Sequence, residues 1–344
     1  MFTIADFGIV EAGIHLPGAP RDIAEYAQAE GVDAARVEAL LAGRVRWFHM
    51  DEDQSDADMI FAAIENLCAR VGNRKFLARV TYLIYVHSQA FSMAAPPESL
   101  FSALLGRYDT LRPLLSFSVE HAACASIVMA MEWAARLLHQ DGATDALALV
   151  VTSDRVFGNA QWRIRQDGGV QSDGASALLV GTRGLRCCFG GVTISTYDRL
   201  HDGPASPANE AAIARTTWLH TRQTLREHSK LTGMDAAHAA AILPINADYL
   251  FWLKIAEALH IPLGKFYFDG ITQRGHACSA DLAVNLIDHG LALVDADGWI
   301  LFCAQSNLGV IAALTLMPPG CRTGRHATAP GMQEDCAECS ICTR

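Results

Sequence analysis

Hydrophobic residues fall into two kinds of block along this chain: short, wholly apolar runs rich in β-branched residues, and longer stretches with apolar positions at helical spacing. The first kind predicts strands at Val80–Val86 (VTYLIYV), Ser116–Glu120, Leu147–Ser153 and Ala175–Val180, after a strand and turn over Phe2–Ile14 that runs into Leu-Pro-Gly. The second kind predicts two short helices over Asp22–Ala42 broken at Gly31, and a helix reaching Ala69 with cap candidates in Gln54–Asp58. Further helices follow at Pro97–Tyr108 and through the long apolar stretch after Cys124. Strands alternating with helices predict a layered α/β fold.

The second half repeats the plan. Strands are expected at Gly191–Tyr197, Ala239–Leu243, Lys265–Phe268, Trp299–Ala304 and Val310–Met317, with helices over Asn209–Leu231, Ala247–Leu259 and Ala277–Leu291. Laying Cys124 on His276 puts each before an alanine and at the opening of a helix, and the register carries Leu147–Ser153 onto Trp299–Gln305. A duplicated unit predicts two central helices back to back with their N-termini close, so that Cys124 and His276 converge.

The helix after Cys124 carries Val128, Met129, Met131, Trp133, Leu137 and Leu138 around most of its circumference, which predicts burial on nearly all sides. Cys124 stands at its first turn, where unpaired N–H groups and the macrodipole favour a thiolate. Ala122, Ala123 and Ala125 leave the sulfur uncrowded for a substrate carbonyl, and the N–H of Cys124 itself can donate to an oxyanion. Taken alone, the same pattern also describes a buried structural thiol.

Composition narrows the class. The 344 residues are 51% hydrophobic, with mean hydropathy +0.17, enough for one large core or two fused ones. No apolar run is long enough to cross a bilayer, and the N-terminus lacks a basic flank before an apolar segment, so a cytoplasmic location with no membrane partner is expected. Ten cysteines spread through apolar segments read as reduced thiols. A net charge of −10 without a basic stripe excludes a nucleic-acid partner. After Pro319 the chain turns polar; Cys336, Cys339 and Cys342 form a C-x-x-C-x-x-C run, with Cys321 and His326 upstream. The run offers a metal site or belongs to a loose extension.

Four stretches carry a family resemblance: EHAACAS around Cys124, SDGASALLVG from Ser172, LPINADYLFWLKIAEALHIPLGKF from Leu243 and RGHACSADLAVNL from Arg274. In these, and in element order from Phe2 to Met317, the chain resembles the thiolase-like superfamily, nearest the ketoacyl-acyl-carrier-protein synthase III branch. The resemblance implies a thiolase fold: duplicated βαβαβαββ halves in five α-β-α-β-α layers. It divides the chain into residues 1–182 with the nucleophile, 183–318 with its His/Asn partners, and a Cys-rich tail, 319–344. It implies acylation of Cys124 by a phosphopantetheine thioester, on acyl carrier protein or coenzyme A, with no tightly bound cofactor. It also implies a homodimer formed through the strand leading to the nucleophile.

The sequence departs from the family pattern at three places. A catalytic histidine is replaced in Pro244-Ile245-Asn246, the usual asparagine is replaced in Gly275-His276, and a glycine-rich loop reads Gln305-Ser306-Asn307-Leu308-Gly309. Decarboxylative condensation needs two donors on an enolate oxygen, whereas transfer to an oxygen, nitrogen or sulfur nucleophile needs one base, which neutral imidazole supplies near pH 7. The expected reaction is therefore acyl transfer from Cys124 to an acceptor activated by His276, in specialised metabolism. Condensation with a malonyl thioester, or a non-catalytic partner subunit, are the alternatives. Asp281 is expected to orient His276 or to be a solvated helix residue, and Asn246 to donate in the site or to cap a helix. His87, Ser306 and Asn307 are pocket candidates. Arg215, Arg222, Arg226, Lys230 and Lys254 form either a docking patch for an acidic carrier protein or an ordinary solvated face.

Overall fold

Every residue of the runs Leu147–Asp154, Gly174–Gly181 and Val310–Met317 is buried, the state of strands covered by helices on both faces. They belong to a computed structural model that describes residues 2–88, 99–142, 144–156, 160–164, 169–197, 207–306 and 308–320. In chain order the strands are β1 (Gly8–His15), β2 (Arg21–Asp22), β3 (Trp47–Phe48), β4 (Val80–Val86), β5 (Leu115–Val119), β6 (Leu147–Asp154), β7 (Gly174–Gly181), β8 (Cys187–Thr196), β9 (Ala241–Pro244), β10 (Ile300–Gln305) and β11 (Val310–Met317). The helices are α1 (Ile23–Ala29), α2 (Ala34–Ala42), α3 (Asp56–Val71), α4 (Leu100–Arg107), α5 (Ser126–Asp141), α6 (Ala160–Arg163), α7 (Pro207–Thr232), α8 (Tyr249–Leu259), α9 (Asp269–Gln273), α10 (Asp281–Asn285) and α11 (Leu291–Asp295).

Nine strands run in the order β5-β4-β6-β7-β1-β8-β11-β10-β9. The first half supplies β5-β4-β6-β7-β1, with β4 parallel to β5 and β6, and β7 antiparallel to β6 and β1. The second half repeats this as β9-β10-β11-β8, with β9 parallel to β10 and β11 antiparallel to β10 and β8. The two sheets meet at a short antiparallel seam, Gly8 opposite Cys188 and Ile9 opposite Cys187. A Cβ on Gly8 would overlap the Cys187 carbonyl, so the seam needs glycine there.

Helix α3 packs on β1, β6 and β7 from outside, and α7 packs on β8 and β11 from the other side. Between the sheets, α5 touches β4, β6 and β7 of one and β8 and β11 of the other, and α10 lies beside it against β1 and β7. The layers are thus α-β-α-β-α. Helix α3 begins in a capping box, Ser55 Oγ accepting from Asp58 N (3.1 Å) while the Asp58 carboxylate accepts from Ser55 N (3.0 Å). It ends at Gly72 in the left-handed conformation. Among the described residues no helix is long and apolar enough to cross a membrane.

Several expectations are corrected. The strand expected at Lys265–Phe268 is a single bridge from Phe266 to Ile242, preceded by a 3-10 turn at Leu263–Lys265. This bridge occupies the edge position that β5 holds in the first half. The single helix expected over Ala277–Leu291 is a 3-10 turn (Cys278–Ala280), α10, a π turn (Leu286–Gly290) and then α11. Helix α5 is not buried all round, because Trp133 is 49% exposed beside β5. Helix α4 starts at Leu100 with Ser99 as its cap; the residues proposed ahead of it lie outside the described residues. The boundary at 182/183 falls between β7 and β8, yet one apolar core holds residues of both halves.

Candidate active site

The nucleophile candidate stands in a tight turn between β5 and α5. Ala123 N donates to Glu120 O (2.8 Å), Ala125 N donates to Ala122 O (3.0 Å), and Ala122 N donates to Ser126 Oγ (3.2 Å). Ala123 takes a φ of 44°, uncommon for a residue with a Cβ, which turns the chain sharply before Cys124. A 3-10 turn over Ala123–Ala125 then leads into α5.

The second half builds the same turn. Cys278 takes a φ of 53°, a 3-10 turn over Cys278–Ala280 leads into α10, and Ala277 N donates to Asp281 Oδ1 (2.8 Å) as Ala122 N does to Ser126. Matched on this geometry, Ala122 corresponds to Ala277, Ala123 to Cys278, and Ser126 to Asp281. The counterpart of Cys124 is therefore Ser279 and that of His276 is His121, a register three residues from the one that lays Cys124 on His276. The two turns still bring thiol and imidazole together, because His276 precedes its turn while Cys124 follows the strained residue of its own.

Cys124 Sγ lies 3.0 Å from His276 Nε2, and His276 Nδ1 lies 2.6 Å from Asp281 Oδ2. Asp281 is fully buried and also accepts from Asn246 N (2.6 Å) and Asn246 Nδ2 (3.2 Å). The imidazole is fixed through its backbone as well: His276 N donates to Val170 O (2.8 Å) and Ser172 N donates to His276 O (2.9 Å). Gly275 before it has a φ of 68° and no space for a Cβ beside Ser172 Oγ.

Electrostatics favour a charge-separated pair. The Cys278 thiol beside the sulfur, then the His276 charge and the Ser88 hydroxyl, hold the Cys124 thiol well below its usual value and outweigh its burial. Burial opposes protonation of His276, but Cys124 and Asp281 together raise it well above the usual imidazole value. Burial raises Asp281, against the pull of His276 and the Asn246 amide. Both directions favour a thiolate facing an imidazolium, the latter backed by a carboxylate.

Sequence reasoning missed three groups here. Cys278, His276 and Cys124 bring their Sγ and Nε2 atoms within 4.8 Å of one another. Ser88 Oγ meets Ser279 Oγ at 2.7 Å, and the buried Asp154 carboxylate accepts from Ser88 N (2.6 Å) and Ser279 N (3.1 Å), tying the ends of β4 and β6 to the second turn. Asn285 Nδ2 donates to Asn246 Oδ1 (2.9 Å) and Pro244 O (2.8 Å). Duplication was the available signal: the matched turns place Cys278 where Ala123 bends the first half.

The remaining candidates fall in different places. Both ends of the buried Asn246 amide are engaged, with Asp281 and Asn285, so it supports the carboxylate, and a Cβ on Gly270 would overlap this amide pair. His87, buried at the end of β4, stacks on Tyr85 and lies 2.8 Å from Glu120 Oε2. Ser306 is buried beyond β10; its Oγ accepts from Leu308 N (2.9 Å) and its carbonyl from Gly309 N (3.3 Å), so those two loop donors are turned inward. Asn307 and the tail cysteines Cys336, Cys339 and Cys342 lie outside the described residues. Arg222, Arg226 and Lys230 line one shallow recess on α7 together with Glu227; Arg215 is exposed on the same helix and Lys254 on α8.

Two sheets of this strand order, enclosing paired helices that begin at the two turns, form a thiolase-type fold, the fold of solved ketosynthase III structures. Particular solved structures share it. The acyltransferase ChlB3 is similar over 91% of this chain and 99% of its own, with a TM-score of 0.77 and 17% identity. The 3-oxoacyl-(acyl carrier protein) synthase III of Pseudomonas aeruginosa is similar over 91% and 98%, with a TM-score of 0.72 and 17% identity. A variant of OleA from Xanthomonas campestris is similar over 92% and 100%, with a TM-score of 0.73 and 13% identity. At such identities the likeness establishes the fold. No protein-family model and no curated protein sequence matches the chain.

Proposed function

We propose that this protein moves an acyl group from a phosphopantetheine thioester, through acyl-Cys124, to an oxygen, nitrogen or sulfur nucleophile. The observation that carries the reading is the continuous Cys124–His276–Asp281 chain, with hydrogen-bonding distances of 3.0 and 2.6 Å. The Cys124 thiolate attacks the donor carbonyl, the donor C–S bond breaks, and the leaving thiolate takes the proton from His276 Nε2. Acylation thus leaves a neutral imidazole, the base that the second step requires. The acceptor then gives its proton to Nε2 as it attacks the acyl carbon, and Cys124 departs as thiolate, restoring the pair. The N–H of Cys124 is the oxyanion donor at the turn.

Condensation is disfavoured by the same residues. Ile245, which stands where the resemblance implies a catalytic histidine in condensing enzymes, is buried, and Asn246 is engaged with Asp281 and Asn285. The name of ChlB3 as an acyltransferase supports the reading as well. The recess with Arg222, Arg226 and Lys230 suits an acidic carrier protein as donor, and a salt-insensitive transfer rate from such a carrier would count against that role. The edge strand β5, flanked by exposed Leu114, Leu115 and Trp133, suits pairing with a second copy in a cytoplasmic homodimer, measurable by sedimentation.

Intact-protein mass spectrometry with a panel of acyl and malonyl thioesters tests the function. The expected increment appears on wild type, is absent in Cys124→Ala, and in His276→Ala is not discharged by acceptors. Absence of any increment on wild type across the panel, or loss of carbon dioxide from malonyl donors, would overturn the reading.

A further inference from the structure

The nucleophile and its base are also two corners of a three-donor cluster. Cys124 Sγ, His276 Nε2 and Cys278 Sγ lie within 4.8 Å of one another, with Cys124 and His276 at 3.0 Å. A tetrahedral zinc ion, with Zn–S about 2.3 Å and Zn–N about 2.0–2.1 Å, spaces such donors about 3.6–3.8 Å apart. Side-chain adjustments within about an ångström reach that spacing. Two thiolates and one imidazole are a soft donor set selective for thiophilic ions.

We propose that Cys124, His276 and Cys278 form a binding site for a thiophilic divalent cation of the zinc type, which competes with the acyl group for Cys124. The outer partner such a site requires is in place: Asp281 holds His276 Nδ1 at 2.6 Å, which directs the Nε2 lone pair toward the sulfurs once the ring is neutral. Charge balances on binding. Each thiol enters as thiolate, the Nε2 proton is released, and two thiolates neutralise the dication in an interior that would not tolerate it bare. Three protein ligands leave a fourth position, the arrangement of zinc sites that exchange a ligand. Cys278, buried in its turn at a φ of 53°, brings its sulfur within 4.8 Å of Cys124 Sγ. An ion there removes the nucleophilic lone pair, so metal and thioester are mutually exclusive.

The donor geometry carries the cation site, while its competition with the acyl group rests on the acyl-transfer reading. The test uses the full chain with Cys321→Ser, Cys336→Ser, Cys339→Ser and Cys342→Ser, which silences the tail thiols. Titration with Co²⁺ is expected to give one equivalent bound, with thiolate-to-cobalt charge-transfer absorption and tetrahedral visible bands, displaced by Zn²⁺. Adding Cys278→Ser is expected to weaken binding by more than the roughly 10–100-fold that loss of an outer-shell partner costs. In a separate measurement on the wild-type chain, Zn²⁺ should slow iodoacetamide labelling of Cys124, and a chelator should restore it. Absence of charge-transfer absorption, binding indifferent to Cys278→Ser, or labelling indifferent to Zn²⁺ overturns the site. Chains that acylate but bind no cobalt reject the metal site alone; chains that bind cobalt but never acylate reject the acyl-transfer reading alone.

Discussion

Replacing Asp281 by Asn exchanges one carboxylate oxygen for an NH2 at nearly constant volume. Every recorded contact of this carboxylate is with a donor: His276 Nδ1 and Asn246 N on Oδ2, Ala277 N and Asn246 Nδ2 on Oδ1. An amide turned either way sets its NH2 against a backbone N–H. Losing two hydrogen bonds to a charged group, at about 1.5–3 kcal/mol each, predicts about 3–6 kcal/mol of destabilisation. That is a large part of the about 5–15 kcal/mol that holds a domain folded, so a lowered urea midpoint is expected. The chemistry suffers separately. Asp281 helps raise His276, so its neutralisation lowers the pH at which the imidazolium is lost and frees the ring to turn. By analogy with other orienting carboxylates, discharge of acyl-Cys124 should fall by about 10³–10⁴, or about 4–5 kcal/mol of barrier. Rapid-quench mass spectrometry, normalised to folded protein by near-ultraviolet dichroism, reads acylation and discharge separately. A folded Asp281→Asn chain that discharges within an order of magnitude of wild type would refute the relay.

Two further outcomes follow from the titrating groups. The lowered Cys124 value places thiolate, and with it fast iodoacetamide labelling, at pH values below the ordinary thiol range, lost only as pH falls through the depressed value. In His276→Ala the labelling profile should move upward, and an unmoved midpoint would sink the ion pair. On the far side of the fold, burial pushes His228 down to about 4, with Thr193 Oγ1 at 2.8 Å from Nδ1 and Thr315 Oγ1 at 2.7 Å from Nε2. A depressed imidazole contributes stability that is present above its unfolded value of about 6.5 and lost as pH falls toward about 4, to a total of about 3 kcal/mol. Urea denaturation of wild type and His228→Gln across that window checks it: the wild-type curve should fall more steeply.

The repeated strand pattern, the central helix and the thiol–imidazole pairing could be read from residue order, because apolar runs and their spacing are local properties. Val80–Val86 and Val310–Met317 match their strands to the residue. Register was harder. Matching Cys124 to His276 followed chemistry, while the fold repeats its backbone three residues away, in the positive φ of Ala123 and Cys278 and in the paired contacts of Ala122 with Ser126 and Ala277 with Asp281. No residue type announces an alanine at positive φ. Asn246 was legible as part of the site but not its direction, which depends on Asn285 reaching it from the second central helix. Cys278 stood in plain view in Arg274–Leu286, but its nearness to Cys124 arises from two turns far apart in sequence.

Asp154 has a consequence for how the molecule comes into being. Its buried carboxylate holds Ser88 N from the first half and Ser279 N from the second, a contact between residues 125 positions apart. During synthesis, the strand that ends in Asp154 emerges long before Ser279 does. A nascent first half therefore carries an acid lacking one of its native donors until the second turn arrives. Long-range closure of this kind is a late event in folding. The contact of Cys124 with His276 spans 152 positions in the same way, so the thiol–imidazole pair is complete only once the second-half turn has docked.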